Sequence, residues 1–99
     1  MGKAARERPD RLADKLRNIR LRLGLSQSEM LRRLGFEDEI SYSRISEYEN
    51  DIREPTLRVL LQYARVAGIC ADVLIDDEAE LPDALPASRP HDYRGKRRG

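Results

Sequence analysis

The chain holds no tryptophan, one phenylalanine, one histidine and one cysteine in 99 residues. Each scarcity excludes something. Cys70 alone cannot form an intrachain disulfide, so a reducing cytoplasm is the expected setting. His91 lies near the C-terminus, which leaves no His-based metal cluster and no Cys–His nucleophile pair at a sensible place. No apolar run approaches the roughly 20 residues of a membrane span, and the basic N-terminus lacks the apolar stretch of a signal peptide. Gly24 and Gly35 read as helix ends instead of parts of a phosphate loop, and Asp76-Asp77 sits in an acidic run. The expectation is therefore a non-enzyme, with no catalytic residue, metal or cofactor. With 39% apolar residues in so short a chain, one small domain with some tail left over is the natural size.

Net charge is only +1, but it is strongly segregated. Residues 1–36 carry +6, residues 37–68 carry −3, residues 69–88 carry −6 and residues 89–99 carry +4. A polyanion would be met by one face or by the ends, unless these runs are merely solvated helix faces.

Residues 1–8, without apolar periodicity, read as a flexible basic arm, and Asp10 is a plausible N-cap for a first helix. Leu12, Leu16, Ile19 and Leu23 recur at helical spacing, and Gly24 ends that helix. Ser26 with Glu29 makes a capping box for a short second helix running to Leu34, its Met30, Leu31 and Leu34 turned inward, with Gly35 closing it. After the connector 36–40, Ser41 is the cap candidate, with Ser43 a weaker one, for a third helix whose Ile45 and Tyr48 face in. Pro55-Thr56 opens a fourth, with Leu57, Leu60, Leu61, Ala64 and Ala67 in helical periodicity and Gly68 at its end. A fifth short helix covers 71–76, beginning at a Cys70 expected to be buried. From Asp77 on, prolines and charges predict an extended tail. Nothing reads as a strand, so the fold class is all-α, with an arm at 1–8, a domain at 9–76 and a tail at 77–99.

Two short capped helices joined closely are what a helix-turn-helix needs, although many small bundles share the pattern. The residues narrow it. Leu25-Ser26-Gln27, Gly35, the run Ile45 to Glu49 and Pro55-Thr56 together resemble the Cro/phage-repressor (XRE-type) helix-turn-helix family, over about residues 12–76. The resemblance implies a compact five-helix, lambda-repressor-like domain that binds double-stranded DNA as a homodimer and regulates transcription, most simply as a repressor.

Carried onto this sequence, it implies that Tyr42, Ser43 and Glu47 face base edges, while Gln27, Arg44, Asn50 and Arg53 meet the DNA backbone. It also implies a structural pair, Arg20 with Glu49, between the first and third helices. Three departures stand out: four extra residues at 37–40, Leu31 where a small residue is usual, and Asp51 where glycine often follows the third helix. Val73, Leu74, Ile75 and Leu81 exceed what a short terminal helix can hide, and so suggest a dimer surface. The rival expectation is an antitoxin-like interaction module whose acidic segment 76–83 binds a protein partner. No membrane partner is expected under either reading.

Overall fold

The computed structural model describes residues 8–86, which form five helices and no strand. They are α1 (Leu12–Leu23), α2 (Gln27–Leu34), α3 (Tyr42–Glu49), α4 (Leu57–Ala67) and α5 (Ala71–Ile75). The arm expected over 1–8 lies outside the described residues apart from Arg8, as do His91 and the rest of the chain beyond 86.

Local chemistry explains most boundaries. The Ser26 hydroxyl accepts from the Glu29 amide while the Glu29 carboxylate accepts from the Ser26 amide, so α2 starts in a closed capping box. Thr56 caps α4 by accepting from the Val59 amide. Four helices end in one reversal, in which a left-handed residue and its successor return their amides to the last turn. Gly24, Gly35 and Gly68 serve α1, α2 and α4, and Asp51, at φ 59°, serves α3. The residue after each glycine (Leu25, Phe36, Ile69) packs on the core, whereas Ile52 after Asp51 is 70% exposed.

Leu12, Leu16 and Ile19 of α1 meet Met30, Leu31 and Leu34 of α2, Ile45 and Tyr48 of α3, and the Val59–Leu60–Tyr63–Ala64–Ala67 stripe of α4 in one core. Leu31 is buried despite its size, so the core takes in the bulkier residue. The stripe of α4 is rotated from the one expected. Leu57 and Leu61 stay outside, at 80% and 43% exposure, because Val59 and Tyr63 occupy the inward direction. The extra residues at 37–40 fold as a single helical turn, with the Glu39 and Ile40 amides donating to the Phe36 carbonyl. Phe36 is buried and Ile40 half-buried, which leaves Glu37, Asp38 and Glu39 in water.

Four further expectations are corrected around the C-terminal side. Asp10 does not cap α1. Its amide and that of Arg11 both donate to the carboxylate of Asp77, 2.9 and 3.1 Å away, so the cap comes from a distant part of the chain. Residues 77–86 fold back along α1 instead of extending away. Arg11 makes a two-pronged pair with Glu80, Arg22 donates to the Pro82 carbonyl, and Leu85 is 1% exposed within the core. As a result Leu74 is buried and Val73 and Leu81 are half-buried, leaving Ile75 as the exposed member of the expected apolar surface. Cys70 is exposed, because it occupies the N-cap position of α5 instead of its inner face. Lys15, buried at 3% exposure, points its ammonium at the carbonyls of Val73 and Asp76, where a cation suits the end of α5.

Candidate nucleic-acid interface

The α2–α3 unit is held from behind by one buried ion pair. Arg20 of α1 donates through Nε and Nη2 to both oxygens of Glu49, at 2.6 and 2.9 Å, and through Nη1 to the Leu25 carbonyl. Both side chains are nearly closed to water, at 13% and 3% exposure. Charge-assisted, two-pronged bonds of this kind fix orientation as well as distance. The Glu49 contact holds the Arg20 pKa above its ordinary value against the opposing effect of burial. Burial first, then the Glu49 charge, pushes the phenol of the buried Tyr63 above the usual range. The Gln27 amide, on the first residue of α2, reaches the same Glu49 at 3.5 Å. One carboxylate therefore ties α1, the start of α2 and the end of α3 together.

The outer side of α3 is different. Ser41, Tyr42 and Ser43 stand exposed at its start, Tyr42 with 58% of its surface in water. Ser41 takes the N-cap position, but its hydroxyl bonds the Ser43 hydroxyl instead of a backbone amide. One turn later Glu47 lies between two arginines, with Arg44 Nε at 3.2 Å and Arg53 Nε at 2.9 Å from the same oxygen, Oε1. Arg44 reaches it along the helix, three residues away. Arg53 reaches it because the Asp51 reversal turns the loop back, with the Ile52 and Arg53 amides both donating to the Glu47 carbonyl. Asn50 bonds the carbonyl and hydroxyl of Ser46, and Arg8 reaches the Asp51 carbonyl.

Of the seven residues expected at DNA, Tyr42 and Ser43 thus stand together at the exposed start of α3, and Glu47, Arg44 and Arg53 form one cluster. Gln27 and Asn50 are each already engaged within the domain. Further exposed cations lie on α1 and α2 at Arg17, Arg32 and Arg33. The acidic turn at 37–39 is partly offset, since Glu39 meets Arg58, whose guanidinium lies 5.2 Å over the Phe36 ring. Sequence reasoning missed the sharing of Glu47. The Arg44–Glu47 spacing signalled half of it, but Arg53 depends on a loop reversal that no local pattern reveals. It also missed Lys15 and Asp77, whose partners are 58 to 67 residues away in the chain.

Among the described residues no group of His, Cys, Asp and Glu could hold a metal ion, and no helix is long and apolar enough to cross a membrane. No curated protein and no solved structure matches the chain. A family model does: the helix-turn-helix model matches residues 16–72, from the middle of α1 into α5, and takes in both the Arg20–Glu49 pair and the whole α2–α3 unit. With more than half its length matched and five helices in the lambda-repressor-like arrangement, the chain belongs to the Cro/C1-type (XRE) helix-turn-helix family of DNA-binding regulators.

Proposed function

We propose that the protein is a cytoplasmic, sequence-specific transcriptional repressor that binds double-stranded DNA as a homodimer, with no cofactor. The observation that carries this reading is the start of α3. Three exposed polar residues, Ser41, Tyr42 and Ser43, lead a helix whose inner side is pinned by the Arg20–Glu49 pair. A recognition helix enters the major groove with its N-terminal residues toward base edges. Tyr42 covers a thymine methyl or donates to a base acceptor, Ser43 donates or accepts, and Glu47 accepts from a cytosine amino group. Gln27 at the start of α2, with Arg44, Asn50 and Arg53, meets phosphates on either side. A two-fold dimer pairs this arrangement with a palindromic site, its half-sites about one helical turn apart.

The acidic segment 76–83 supports this reading over a protein-partner module. Asp77 already accepts from the Asp10 and Arg11 amides and Glu80 already pairs with Arg11, just ahead of α1, so a basic partner would have to displace those bonds. The deciding experiment is selection of bound duplexes from a random pool with purified protein, followed by sedimentation of the complex. Enrichment of a palindromic motif, with two protomers per site, is the expected result. No enriched motif at low salt overturns sequence specificity, and one protomer per site overturns the dimer.

A further inference from the structure

Glu47 is placed where a simple base reader need not be. Its Oε1 serves Arg44 and Arg53 together, and the three side chains remain between 35% and 52% exposed. Two guanidiniums that would otherwise face phosphates are thereby bound to a carboxylate of the same surface. The trio carries one net positive charge instead of two.

Resting on the DNA-binding reading above, we propose that Glu47 is a specificity-determining gate on Arg44 and Arg53, one that withholds both arginines from phosphates until a base-edge amino group engages its carboxylate. On arbitrary duplex, phosphates must compete with Glu47 for both guanidiniums, and the carboxylate itself repels the backbone. On a site that presents an amino donor in the major groove, foremost cytosine N4, the donor compensates the carboxylate as the arginines turn outward. Backbone affinity is thereby coupled to base identity. The partnership is exchangeable because it is exposed: ion pairs in water are held by about 1 kcal/mol or less. The same carboxylate at the buried Glu49 position could not let its partner go.

Separating a gate from a plain base reader requires binding to arbitrary sequence. The probes are a short fluorescein-labelled duplex of random sequence and the duplex most enriched by the wild-type protein, titrated by anisotropy between about 50 and 200 mM salt. Glu47→Gln is expected to bind the random duplex roughly tenfold tighter at the low-salt end. Its log–log salt slope should steepen by about 1 to 2, since each phosphate contact adds about −0.9. The ratio of selected to random affinity should fall at least tenfold. Adding Arg53→Ala to Glu47→Gln should return about one phosphate's worth of that slope.

A Glu47→Gln protein that weakens on the selected duplex, with no gain and no change of slope on the random one, overturns the gate and leaves a base reader. A loss of thermal stability with the slope unmoved overturns it in favour of a structural role. Wild-type protein that binds neither duplex at low salt overturns the DNA-binding reading, and the gate with it.

Discussion

Two glutamates on α3, two residues apart, have opposite circumstances. Glu49 faces inward, 3% exposed, and takes both prongs of one arginine from another helix. Glu47 faces outward and divides one oxygen between two arginines that water also reaches. The residue types are the same and the distances are similar. Burial separates them: a charge removed from water holds its partner because the alternative is an unpaired ion in a poor dielectric, whereas an exposed one trades partners at little cost. The inner side of α3 is built to stay, and its outer side is built to exchange.

The hardest blow to that contrast falls on the inner pair. Arg20→Ala strands the Glu49 carboxylate, a change expected to cost about 3–5 kcal/mol. Domains of this size hold as little as about 5 kcal/mol in total. A melting temperature lower by roughly 15 °C or more is expected, at about 4–8 °C per kcal/mol. Arg17→Ala, an exposed cation one turn earlier, should melt like the wild type. Arg20→Met combined with Glu49→Leu should recover much of the stability, since no charge is then stranded. An Arg20→Ala melt within a few degrees of wild type would erase the distinction between the two glutamates.

The C-terminal segment sets a second pair of changes. Leu85→Ala opens a space in the core and should cost about 2–4 kcal/mol. Asp77→Asn acts instead through charge. The amides of Asp10 and Arg11 hold the Asp77 carboxyl below its ordinary pKa, and Arg11 does the same for Glu80. A depressed carboxyl stabilises the fold at pH values above about 4 and loses that contribution as pH falls through its lowered folded value. Melting temperature against pH should therefore drop on the acid side for the wild type and drop less for Asp77→Asn. The gap between them should be widest near neutrality and close in acid. Parallel curves would mean that Asp77 is not what caps α1.

What could be read ahead divides along the same line of sequence distance. The ends of α1, α2 and α4 follow from Ser26 with Glu29, Thr56 and three glycines, each acting within four or five residues of itself. The cap on α1 could not be read this way, because Asp10 looks self-sufficient and the true partner is 66 and 67 residues on. Burial along α4 was only half legible. Leu57 and Leu61 fit a helical stripe as well as Val59 and Tyr63 do, and which stripe turns inward is decided by the helices packed against α4. Cys70 was misjudged for a related reason, since an N-cap position faces water whatever the residue prefers. At the candidate interface, the family resemblance singled out Tyr42, Ser43 and Glu47, and the structure places them on α3. The charge around Glu47 was hidden because it depends on how the loop at Asp51 closes.

That closing residue sharpens the comparison with the smallest change. Asp51 holds φ 59° where the other three reversals use glycine, and its main-chain role is identical to theirs. Asp is among the residues that tolerate this region best, so the strain it stores is modest. Asp51→Gly relieves that strain but adds freedom to the unfolded chain, and the two effects, each under about 1 kcal/mol, nearly cancel. The melting temperature should stay within roughly 3 °C of wild type, on the stable side if it moves. The substitution also removes the ion pair between Arg8 and Asp51, which is exposed and contributes little. Because the reversal survives, Arg53 still returns to Glu47, and the salt slope on random duplex should steepen by far less than it does for Glu47→Gln. If Asp51→Gly instead matched Glu47→Gln in slope, the control on the arginines would reside in the general acidity of the surface, and the outer side of α3 would lose the one carboxylate that distinguishes it.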